Sequence, residues 1–129
     1  MEKLFRGIAF ENNQMVFGDL SQNKQFNSIT ISNYINGYEF KHLVLAESVG
    51  QYLGFDDEHN NKIFEGDIVR CDNPYYHGEN NEYFYYCIKN IEELYEDYDV
   101  FMPAIRGGDG LVIGNIHQNK GLIKLINKF

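Results

Sequence analysis

The 129-residue chain has no tryptophan, and only two cysteines and two prolines. Cys71 and Cys87 are too few for the disulfide framework of a small secreted scaffold. No apolar stretch approaches the ~20 residues of a membrane span. The start, Met1-Glu2-Lys3-Leu4-Phe5-Arg6-Gly7, lacks the apolar core of roughly 7–15 residues that a signal peptide carries. Basic residues are scarce too: eleven Lys and Arg stand against nineteen Asp and Glu, a net charge of −8. No cluster of Lys or Arg offers the basic surface that a nucleic-acid backbone needs. Lys120, Lys124 and Lys128 read as the solvated face of a C-terminal helix. The expectation is a cytoplasmic protein with reduced thiols, no membrane partner and no direct hold on nucleic acid.

Ten Tyr and ten Phe take the aromatic content to 16%, a composition suited to half-buried pleated sheet. The length fits one domain, 1–129, able to bury a core without metal or disulfide. Phe5, Ile8 and Phe10, then the polar Glu11-Asn12-Asn13-Gln14, then Met15-Val16-Phe17 read as a first hairpin that ends at Gly18-Asp19. Ser21 to Gln25 reads as a surface loop. Residues 28–42 read as a second hairpin, alternating on both sides of Asn36-Gly37, the strongest two-residue turn signal. After the dense turn Asp56 to Lys62, Ile63 to Cys71 reads as a strand bent at Gly66-Asp67. Tyr83 to Ile88 and Leu111 to Ile116 complete the strands, with Pro74 and Pro103 as breaks. Ile91, Leu94, Tyr95 and Tyr98 recur at helical spacing behind an Asn90/Glu93 capping box. A second, short helix is expected from Leu122, Leu125, Ile126 and Phe129.

Three blocks in this order resemble the phage-associated YopX family. The first is Leu4-Phe5-Arg6-Gly7-Ile8-Ala9-Phe10 through Met15-Val16-Phe17-Gly18-Asp19. The second, the most specific, is Val49-Gly50-Gln51-Tyr52-Leu53-Gly54-Phe55-Asp56-Asp57 through Ile63-Phe64-Glu65-Gly66-Asp67-Ile68-Val69. The third is Val112-Ile113-Gly114-Asn115-Ile116-His117-Gln118-Asn119. Leu53 stands where the family usually has Thr, and His117 where it has an aromatic. Between about 72 and 110 little matches, and the helix at 90–98 reads as an insertion. The resemblance implies a mainly-β fold: a small SH3-like barrel with an N-terminal β-hairpin extension, the inserted helix and a short C-terminal helix. It further implies a phage or prophage context and self-assembly, and it carries no catalytic residues and no cofactor.

The chemistry-bearing residues each admit a plainer reading. Asp56, Glu58, Asn60, Ile63 and Asp67 follow a calcium loop in part, but Asn61 stands where the sharp turn wants Gly, and the last ligand position holds Asp rather than Glu. Glu65 and Asp67 share a strand face, as an acid–base pair would. Glu65-Gly66-Asp67 reads better as a barrel corner in which the Asp accepts backbone N–H bonds. Cys71, Cys87, His77 and His117 are zinc-ligand types without zinc spacing. Gly107-Gly108-Asp109-Gly110 lacks the Gly-Lys-Ser/Thr of a phosphate loop. A hydrolase would need Glu65, Asp67 and His117 to converge.

The remaining signal is aromatic and acidic. Two of Tyr83, Phe84, Tyr85 and Tyr86 should point away from the core of a strand. With Tyr75 and Tyr76 they form a candidate interface, since Tyr is enriched where partners dock. Glu92, Glu93, Glu96, Asp97 and Asp99 read as a solvated helix face, or as a DNA-like surface that would block a host nucleic-acid-binding enzyme. The leading expectation is a non-enzymatic phage accessory protein in the host cytoplasm that binds itself, or a host or phage protein.

Overall fold

The computed structural model describes residues 3–72, 83–90, 105 and 108–126. The helix expected at 90–98, Tyr75, Tyr76, His77 and the acidic run at 92–99 lie outside these residues. Strand accounts for 56% of the described residues and helix for 10%, so the fold is mainly β. The strands are β1 (Phe5–Ile8), β2 (Met15–Asn23), β3 (Ser28–Ile35), β4 (Tyr38–Leu43), β5 (Gly50–Asp56), β6 (Lys62–Phe64), β7 (Asp67–Asp72), β8 (Tyr83–Cys87) and β9 (Leu111–Asn115). The chain divides into two compact units, Met1–Tyr52 and Leu53–Phe129.

In the first unit the hydrogen-bonded order is β4-β3-β2-β1-β5, all antiparallel. The first hairpin turns where its polar tetrapeptide places the turn. Asn12 accepts the Gln14 N–H, and Asn13 takes a positive φ of 57°. Asn is one of the few non-glycine residues that adopts such a φ readily. Beyond the turn the structure corrects the sequence reading. β2 does not stop at Gly18-Asp19, and Ser21 to Asn23 are strand rather than loop. β2 changes partner at that point. Gly18 pairs with Phe5 on β1, and Asp19 pairs with Ser32 on β3. The strand is imposed by β3, so its polar, exposed side chains give no local sign of it.

The second hairpin closes through Asn36 and Gly37, with φ of 52° and 83° and Ile35 opposite Tyr38. Positive φ at both turn residues is the type I′ geometry that matches strand twist. The core of this unit gathers Ile8, Ala9, Ile31 and Val44. Ala9 bridges to Val44, and Phe10 N–H bonds the Leu43 carbonyl at 2.9 Å.

In the second unit β6 lies beside β5, and β8-β7-β9 form a three-stranded antiparallel sheet. Leu53, Ile63, Val69, Cys71, Tyr86, Ile88 and Ile105 make its core. The segment 63–71 is two strands rather than one bent strand, because the turn at Glu65-Gly66 sends β7 to different partners from β6. The described strands form two antiparallel sheets and not a closed barrel, which corrects the expected SH3-like closure. Lys120–Leu125 is a 3₁₀ helix, the short C-terminal helix in its tighter form.

Candidate interaction surfaces

The family-like blocks of the second unit hold one another through buried side chains. Asp57, almost fully buried, accepts four hydrogen bonds. The N–H groups of His59 and Asn61 reach Oδ1 at 2.9 and 2.8 Å. The Val112 N–H and the Asn61 amide reach Oδ2 at 3.0 and 3.3 Å. Burial alone would push this carboxyl up. The N–H groups of Val112, Asn61 and His59, with the Asn61 amide, outweigh it and hold the carboxyl below its ordinary value. Glu58 N–H adds a bond to the Gly110 carbonyl at 2.9 Å. Asp57 therefore fixes the β5–β6 turn and fastens it to β9.

A second buried carboxylate shapes the next turn. Asp67 Oδ2 accepts the Phe64 N–H at 2.7 Å. Gly66 donates its N–H to the Ile88 carbonyl and accepts the Ile116 N–H, at 2.7 and 3.0 Å. Asn115 organises the turn after β9. Its Oδ1 accepts the His117 and Gln118 N–H groups, and its own N–H goes to Asn119 Oδ1. These blocks are joints of the scaffold.

Several of the candidate chemical residues take part in scaffold contacts. The Glu65-Gly66 turn and the Ile116-His117 turn adjoin through their backbones, while the Asp67 carboxylate is buried against Phe64. Of the partial calcium loop, Asp67 is thus committed to a backbone N–H. Cys71 lies opposite Phe84 and Cys87 opposite Ile68, and neither forms a disulfide. Among the described residues no group of three His, Cys, Asp or Glu could hold a metal ion. No described helix is long and apolar enough to cross a membrane.

On β8 the faces separate as a strand requires. Phe84 and Tyr86 pack with the core, opposite Cys71 and Val69. Tyr83 and Tyr85 take the other face. Tyr83 is 37% exposed, with the Arg70 guanidinium 4.5 Å from its ring centre, a cation–π contact.

Apolar side chains more exposed than Tyr83 lie on the β3–β4 hairpin. Tyr38 is 72% exposed, Tyr34 61%, Ile35 55% and Phe40 45%. The register places Ile35, Tyr38 and Phe40 on one face and Tyr34 on the other. Sequence reasoning treats these residues as strand formers and misses the surface. The sequence places Tyr34, Ile35 and Tyr38 directly beside Asn36-Gly37, but it does not say whether anything covers them. At the other end of β4 a cleft of about 400 Å³ is lined by Phe10, Glu11, Lys41, His42 and Leu43. His42 Nδ1 and Glu11 Oε1 stand 3.0 Å apart across it.

Comparison with known proteins settles the family. The family model described as "YopX protein" matches residues 4–124. The chain belongs to the YopX family. No curated protein matches it. A solved structure, that of protein EF1440 from Enterococcus faecalis, is 20% identical, with a TM-score of 0.49 over 95% of this chain and 99% of that one. The YopX match spans all three blocks and also the intervening segment 72–110, where the sequence resemblance is slight.

Proposed function

We propose that this YopX-family protein is a phage or prophage accessory protein that works by protein–protein association, including association with itself, and not by catalysis. The observation that supports this reading is the uncovered apolar tip of the β3–β4 hairpin. Large exposed aromatic and aliphatic side chains in contiguous positions mark contact surfaces more often than solvent-facing ones. A Tyr38→Ser/Phe40→Ser variant tests it. Light scattering over a concentration series should show assembly in the native protein and its loss in the variant. A native protein that stays monomeric at high concentration removes self-association from the proposal. Capture of no host or phage protein by that same monomer removes association altogether. The alternative of an acidic nucleic-acid mimic rests on the run at 92–99, and nothing among the described residues favours it.

A further inference from the structure

β4 is the edge strand of its sheet. An exposed edge offers unpaired peptide groups to another strand. The two-residue turn makes Ile35 and Tyr38 a hydrogen-bonded pair, and such pairs alternate along an antiparallel ladder. Tyr38, Phe40 and His42 therefore turn their peptide groups toward β3, and Glu39, Lys41 and Leu43 turn theirs outward. The outward carbonyl of Leu43 is already taken by Phe10 N–H. The open edge is thus Glu39 to Lys41, flanked by Tyr38 and His42.

Only a few registers let two such edges pair. Backbone parity requires an outward residue opposite an outward residue. Glu39 opposite Glu39 sets like charges together, and Lys41 opposite Lys41 does the same. The remaining register centres on Phe40. It places Glu39 opposite the second copy's Lys41, Lys41 opposite its Glu39, and Phe40 opposite Phe40. That central pair is a non-hydrogen-bonded one, in which side chains approach most closely. Tyr38 then faces the second copy's His42 on the same side as Phe40. An edge lysine ordinarily guards a strand against pairing. Here the glutamate two residues before it makes the edge complementary to itself.

We propose that the Tyr38–His42 edge of β4 pairs antiparallel with the same edge of a second copy, about a two-fold axis at Phe40. This rests on the self-association reading above and gives it a site and a register. The pairing is isologous, so it closes as a dimer.

Charge exchange tests it in the full-length protein. In a Glu39→Lys homodimer both charge pairs become Lys against Lys, and in a Lys41→Glu homodimer both become Glu against Glu. Opposite charges across strands stabilise and like charges destabilise. Each single variant should weaken dimerisation, read as the dissociation constant by light scattering, by about tenfold or more. The double variant Glu39→Lys/Lys41→Glu restores both pairs and should recover the native value. An equimolar mixture of the two single variants should recover it as well, as a mixed dimer. The two single changes move the net charge in opposite directions, so a net-charge effect would not weaken both. Single variants that assemble like the native protein would overturn the β4 pairing while leaving self-association standing. Loss in both without recovery in the double variant or the mixture would also overturn it. A monomeric native protein removes the pairing and the self-association reading together.

Discussion

At the scale of the residue, the side chain that ties the β5–β6 turn to β9 is not one that looks chemical in the sequence. The sequence pattern draws attention to Asp56, Glu58 and Asp67 as ligand positions and passes over Asp57. What singles out Asp57 is Val112, fifty-five positions away, whose N–H completes its set. No local pattern carries that information. The consequence is a pH dependence with a definite sign. The Asp57 carboxyl is held below its ordinary value in the fold. Its contribution to stability is therefore fully present above about pH 4, the ordinary carboxylate value. It is lost as the pH falls through the lowered folded value. Asp57→Asn should cost about 1–3 kcal/mol at neutral pH, because the amide accepts fewer of the buried N–H groups. Urea unfolding between pH 7 and pH 3 measures both effects. The variant should start less stable and lose less on acidification than the native protein. Equal acid sensitivity would mean that Asp57 has an ordinary carboxyl in the fold.

At the scale of the element, legibility tracks locality. The hairpin over 28–42 is readable because Asn36-Gly37 encodes its own turn. The Asp67 carboxylate that reaches back three residues to the Phe64 N–H is local chemistry of the same kind. The run of β2 through Ser21, Gln22 and Asn23 is not readable, because β3 supplies its pairing. Nor is the uncovered tip of β3–β4, since periodicity says which residues share a face and not whether anything covers it. Two glycines separate the local from the tertiary cause. Gly37 has φ of 83° with open space around it, so Gly37→Ala meets only backbone strain, about 1 kcal/mol. At Gly18 an added Cβ would overlap the Ser32 carbonyl where β2 passes from β1 to β3. Gly18→Ala must part those strands and should cost about 3 kcal/mol. Thermal melts of the two variants should rank them in that order. The reverse ranking would mean that β2 does not approach β3 so closely.

At the scale of the whole molecule, association has to overcome a net charge of −8 on each copy. Two electrostatic terms then act with opposite signs and different ranges. The Glu39–Lys41 pairs across the proposed two-fold attract at contact distance. The summed charge of the two copies repels over tens of ångströms. The Debye length is about 30 Å at 0.01 M salt and about 10 Å at 0.1 M. Over that interval screening removes most of the long-range repulsion and little of the contact attraction. Dimerisation of the native protein should therefore strengthen as salt rises from about 0.01 to 0.1 M. The double charge-exchange variant keeps both the net charge and the pairs, so it should take the same course. Sedimentation velocity at a fixed protein concentration measures the dimer fraction along the salt series. A steady fall in that fraction would mean that long-range attraction between complementary surfaces, rather than short-range pairing against a net repulsion, holds the copies together.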